Sequence, residues 1–88
     1  MPKTELSGPE ELVLRALRTP ARRWWRVQEL SDATRMHAST VRAALKFLCR
    51  INLATRQHIG PALAPSYSIT TLGEGELDRR PTHHLRVA

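Results

Sequence analysis

The clearest pattern of apolar and polar positions lies between Val27 and Ala54, VQELSDATRMHASTVRAALKFLCRINLA. It predicts two short helices, a tight turn between them and a strand after them. In the second helix, residues 38–50, Val41, Ala44, Leu45 and Leu48 fall within an arc of about 100 degrees, wide enough to dock on other helices. Ser39, Ala43, Lys46 and Arg50 fall opposite, with Arg42 on the flank. This outward face has small residues and cations and no acid. A helix displayed for solubility alone usually mixes both signs. Small residues beside Arg or Lys suit close approach to phosphates and base edges.

The first of the two helices is expected from about Val27 to Thr34. Val27, Leu30 and Ala33 recur every third residue, and Glu29 and Asp32 sit in or near the first turn, where the helix dipole favours acids. Arg35-Met36-His37 forms the turn, with Met36 as an apolar plug. His37 or Ser39 is expected to cap the second helix, with Thr40 just inside it. Asn52 stands where the chain leaves that helix, and Asn tolerates a left-handed backbone.

Upstream, Ser7-Gly8-Pro9-Glu10 reads as a capping box opening a helix to about Arg18. Its expected core face is Leu12, Val13, Ala16 and Leu17, and Thr19-Pro20 ends it. The stretch ARRWWR follows. On an extended segment Trp24 and Trp25 point to opposite faces, so one can cap the core while the other lies outside. Downstream, Leu53–Ile59 is the expected outgoing strand, with Leu53, Thr55, Gln57 and Ile59 on one face and Ala54, Arg56 and His58 on the other. Residues 60–66 form a loop stiffened by two prolines. Tyr67–Thr70 returns, with Tyr67 and Ile69 inward. Thr70 or Thr71 caps a last helix, where Thr71 and Glu74 make a second capping-box pattern. Gly73 permits close helix packing, Leu77 fills the core and Pro81 stops the helix.

The segments ELSDATRMHASTVRAALKFLCRINLA and YSITTLGEGEL together resemble the bacterial winged-helix regulators, the broad group with the MarR, ArsR and PadR types. The resemblance runs from about Leu12 to Arg80. It rests on the spacing of Leu30, Ala33, Met36, Val41, Leu45, Leu48 and Leu53. It implies a mainly α fold with a small β-wing: a winged helix-turn-helix with a three-helix core, a two-stranded wing and a short C-terminal helix. Residues 1–6 are then a flexible arm, 7–80 the DNA-binding domain and 81–88 a mobile tail. The resemblance also implies a strand at ARRWWR and a homodimeric transcription regulator, expected to be a repressor.

Composition sharpens this. The chain has 88 residues and a net charge of +6, one domain's worth of sequence. From Arg15 to Arg56 ten cations face two acids, a balance of +8. Such a footprint points to nucleic acid before other partners. No apolar run reaches the roughly 18 residues of a membrane span, and no secretory signal is expected at the N-terminus. The single cysteine, Cys49, excludes an internal disulfide and fits a reducing cytosol, where a nucleoid-associated protein would work.

Arg42 and Lys46 are the leading candidates for base contact, with Ser39 and Ala43 close to the bases. Thr40 braces the helices or touches a phosphate. Arg22, Arg23, Arg35, Arg50 and Arg56 are candidate phosphate contacts, and His58 joins Arg56 if the wing touches DNA. About six phosphate contacts per subunit would give a slope of log affinity against log salt near −5. A protein-interaction winged helix within a transcription, replication or partition complex is the rival expectation, using the uncharged wing tip or Trp24 and Trp25. Cys49 is expected to be an inert, partly buried thiol. No metal is expected at His83-His84, since adjacent residues do not converge on one helix face, and no cofactor is expected. No phosphate-cradling glycine loop or nucleophile–base pair suggests an enzyme.

Overall fold

A computed structural model describes residue 6 and residues 8–58 and 64–79. Its order is α1 (Gly8–Arg18), α2 (Val27–Thr34), α3 (Ala38–Arg50), β1 (Ala54–Gln57), β2 (Ser66–Ile69) and α4 (Thr71–Arg79). Four helices and a two-stranded antiparallel sheet match the expected mainly α architecture. The Ser7 cap, Ile59, most of the wing loop, residues 1–5 of the expected 1–6 arm and the tail with His83-His84 lie outside the described residues; Leu6, the last residue of that arm, packs against the core.

Helix α1 carries Glu10 and Glu11 in its first turn and Arg15 and Arg18 in its last, matching the helix dipole at both ends. Its buried residues are Val13, Leu14 and Leu17. Leu12, expected in the core, is 49% exposed, while Ala16 packs at the core margin. Three apolar residues in a row leave the face ambiguous, and Val13, Leu14 and Leu17 are the set that shares one stripe. The Glu11–Arg15 ion pair, 2.7 Å, occupies the flank beside it.

Helix α2 begins at Val27 although Arg26 lacks a capping side chain. Glu29 reaches back to accept the Arg26 amide at 2.8 Å, so the acid closes the helix start alone. Leu30 is fully buried, but Ala33 is exposed, contrary to expectation. A strict three-residue repeat drifts around a helix. The inward stripe is instead Val27, Leu30, Ser31 and Thr34. The Ser31 hydroxyl donates to the Met36 carbonyl at 2.6 Å, which pins the turn. Arg35 has φ 62 and ψ 32, a left-handed backbone at the α2 terminus.

Helix α3 buries Val41, Ala44, Leu45 and Leu48 as its stripe requires. Neither His37 nor Ser39 supplies a side-chain cap: His37 occupies the cap position without such a bond, and Ser39 is left exposed. The other end closes on backbone alone. Asn52, φ 66, donates its amide to the Cys49 carbonyl, and the Leu53 amide bonds back to Leu48 at 2.9 Å. This is a Schellman stop, completed by burial of Leu53 and Leu48 together. It makes Leu53 part of the helix exit, so β1 starts one residue later than expected.

The sheet pairs Ala54 with Ile69, Thr55 with Ser68, Arg56 with Tyr67 and Gln57 with Ser66. Trp25 adds a one-residue third strand, exchanging both amide bonds with Tyr67 at 2.8 and 2.7 Å. Strand β2 is therefore flanked on both sides. Ser66 and Ser68 are buried along with Tyr67, while Ile69 is partly buried. Thr70, not Thr71, caps α4: its hydroxyl accepts from the Gly73 amide at 3.0 Å and donates to the Asn52 carbonyl at 2.7 Å. Gly73 is needed because a Cβ there would lie 2.2 Å from the Leu53 oxygen. Arg18 and Asp78, 2.6 Å apart, tie α1 to α4.

Candidate nucleic-acid interface

The helix stripe that seats Val41, Leu45 and Leu48 inward leaves the opposite side of α3 open. Ser39, Arg42, Ala43, Lys46 and Arg50 are exposed and Thr40 is half-buried. Between α3 and the hairpin runs a groove of about 740 Å³. Arg42, Lys46 and Arg50 line it from the helix and Arg56 from β1, over a floor that includes Leu45, Ala54 and Tyr67. His58, exposed, follows the end of β1. Four cations thus converge on one concavity with no acid among its lining residues.

The ion-paired acids lie elsewhere. Ion pairs join Arg15 to Glu11, Arg18 to Asp78, Arg22 to Glu29 and Arg79 to Glu76. None of these cations lies on the open face of α3. Among the described residues, Arg35, Arg42, Lys46, Arg50 and Arg56 have no such partner. Their charges add to one field beside α3 and the wing, which raises the local concentration of anions.

Two of the sequence candidates stand apart from this groove. Arg22 and Arg23 line a different depression of about 390 Å³, with Ser68, Ile69, Thr71 and Glu74. It lies at the end of β2 away from the wing loop. Arg22 is also paired with Glu29, 2.5 Å away, and its guanidinium lies 5.2 Å from the centre of the Trp25 ring. Arg35 lines a third hollow at the helix turn with Gln28, Ser31, Asp32, Met36, His37 and Ala38. Sequence reasoning did not place Tyr67, Asn52 or Thr55 in the groove. The hairpin register could have found Tyr67, since it faces Arg56 across the ladder.

Cys49 sits in the groove wall, half-buried. Burial raises its thiol above the ordinary value, and the positive charge of Arg56 opposes this in part. Among the described residues no group of three or more His, Cys, Asp or Glu side chains could hold a metal ion. No described helix is long and apolar enough to cross a membrane.

No protein-family model matches the sequence. No curated protein matches it. Solved structures do share its fold. A mutant of the Staphylococcus aureus regulator MepR superposes with a TM-score of 0.74 at 18% identity, covering 83% of this chain and 53% of that one. A MarR family transcriptional regulator from Silicibacter pomeroyi gives 0.70 at 25% identity, covering 83% and 48%. Another S. aureus MepR mutant, bound to an oligodeoxyribonucleotide, gives 0.68 at 17% identity, covering 82% and 53%. The chain spans about half the length of these structures. It has the winged helix-turn-helix fold, and these neighbours are transcription regulators, not enzymes.

Proposed function

We propose that this chain is a sequence-specific binder of double-stranded DNA and a transcription regulator, acting as a repressor. Helix α3 enters the major groove. Arg42 and Lys46 read base edges, with Ser39 and Ala43 small enough to let the helix approach. Arg35, Arg50 and Arg56 bind phosphates, Thr40 steadies the helix against the backbone, and His58 extends the wing contact. Arg22 and Arg23 drop out of the contact set, because one is paired and both line the separate depression. The observation that carries the reading is the segregation of charge: the ion pairs lie off the open face of α3, and its cations have no partner among the described residues. DNA-bound MepR with the same fold supports it.

A homodimer fits this function. Two copies of α3 would meet successive major grooves about 34 Å apart, so the operator would be a pseudo-palindrome. The site of action is then the cytoplasmic nucleoid. Selection from a pool of random duplexes tests the whole reading. The expected product is an enriched motif with two half-sites at that spacing, and lower transcription from a promoter carrying it. A pool that bound no better after selection than before would contradict sequence-specific recognition. The rival reading, a protein-docking module, has less support: Trp25 is 6% exposed in the core and Trp24 is half-buried.

A further inference from the structure

Helix α3 and β1 of the wing hairpin are joined through Ile51, Asn52 and Leu53. The end of β2 is tied back to this link by Thr70, which bonds the Asn52 and Leu53 carbonyls. The outer edge of β2 is held by the Trp25 bridge, which exchanges both amide bonds with Tyr67. Trp25 runs directly into α2, so the bend from Arg22 to Arg26 sets how α2 meets the sheet. α2 in turn holds α3 through the turn pinned by Ser31.

This bend is closed by one compact cluster. The Trp25 indole N–H donates to the Arg22 carbonyl at 3.1 Å. The Arg22 guanidinium covers the Trp25 ring at 5.2 Å. Its Nη1 meets Glu29 Oε2, while Glu29 Oε1 accepts the Arg26 amide at 2.8 Å. A single carboxylate therefore joins the bend to the first turn of α2. In register, Trp25, Tyr67 and Arg56 form one row across the sheet, and opposed residues project to the same face. The row leads from the cluster to the rim of the cationic groove.

We propose that Arg22 and Glu29 form a latch that holds the wing at a fixed angle to α3, making both of them positioning residues for DNA binding. The latch rests on the DNA-binding reading but makes a prediction of opposite sign from simple charge. Neutralising an acid near a DNA-binding face normally tightens binding. Glu29→Gln removes the ion pair while its amide oxygen still accepts from Arg26, and the latch predicts weaker binding.

The experiment measures duplex affinity across a salt series for wild type, Arg22→Ala, Glu29→Gln and the double variant, each confirmed folded by circular dichroism. Both single variants should lose about fivefold in affinity. The double variant should lose no more than either alone, since they break one unit. The salt slope should stay at the wild-type value, because no phosphate contact is removed. Amide resonances of Arg56 and Tyr67 should shift in Glu29→Gln without DNA. Binding by Glu29→Gln as tight as wild type or tighter, a slope reduced by about one in Arg22→Ala, or unmoved wing resonances each overturn the latch. Failure of wild type to bind at low salt would instead remove the DNA reading, and the resonance shifts would still test the latch.

Discussion

Arg56 and Tyr67 stand opposite each other in the β1–β2 ladder, so their side chains leave the hairpin on the same face. Tyr67 is buried and forms part of the groove floor, while Arg56 is exposed on its rim. Both line the groove that faces α3. In the proposed function Arg56 serves the DNA backbone and Arg42, on the helix, serves base edges. Arg56→Ala should weaken binding to all sequences alike and reduce the salt slope by about one. Arg42→Ala should relax sequence preference, costing about 1–3 kcal/mol at one base pair. Competition between selected and unselected duplexes separates the two. Equal effects of both substitutions on all sequences would reject the division of labour.

Arg35 holds a left-handed backbone, φ 62, that glycine adopts without a Cβ conflict. For a non-glycine residue this conformation costs about 1–2 kcal/mol. Arg35→Gly removes the conflict but gives the unfolded chain more freedom. The net expected change is a gain of about 0.5 kcal/mol in stability, read by urea unfolding. The same variant should bind DNA less tightly, with a slope smaller by about one. Stability gained while binding is lost would explain why a strained arginine sits at this turn. Unchanged binding would remove Arg35 from the interface.

Gly73 lets α4 lie against the chain leaving α3. An added methyl group would meet the Leu53 carbonyl at 2.2 Å and the Ile69 Cγ1 at 2.8 Å. Backbone cannot give way as a flexible side chain can. Gly73→Ala should therefore destabilise the fold by about 2–3 kcal/mol, through overpacking. Chemical denaturation measures it. A cost below that of a surface substitution would show that α4 is not seated as described.

Cys49 tests the electrostatics of the groove wall. Its raised pKa leaves less thiolate near neutral pH than a free cysteine has. Alkylation by iodoacetamide at pH 8 should therefore be slower in the folded protein than after unfolding in urea. The sign for stability follows from the same shift. The folded state prefers the neutral thiol, so this contribution is complete below the ordinary thiol value of 9.0 and is lost as pH rises through the raised one. Faster alkylation of the folded protein would reverse the assignment.

Much of the fold was legible in the sequence where one periodicity admits one solution. The stripe of Val41, Ala44, Leu45 and Leu48 fixed both the core side and the open side of α3. Asn52 was legible because few residues accept a left-handed exit. Leu12 against Leu14 was not, since three adjacent apolar residues fit two faces. Ala33 misled because a three-residue repeat rotates away from the core. The fate of Arg22 was illegible for another reason. Its partner Glu29 is seven residues away across a bend, so only the folded chain shows that this arginine is already paired.

The salt dependence of duplex binding tests the central claim most directly. With Arg35, Arg50 and Arg56 on phosphates, about three counterion-releasing contacts per protomer are expected, and log affinity should fall with log salt at a slope near −2.7 per protomer. That is shallower than the value near −5 expected before Arg22 and Arg23 were set aside. A binding constant that stayed flat from low to physiological salt would contradict a cationic groove built for DNA.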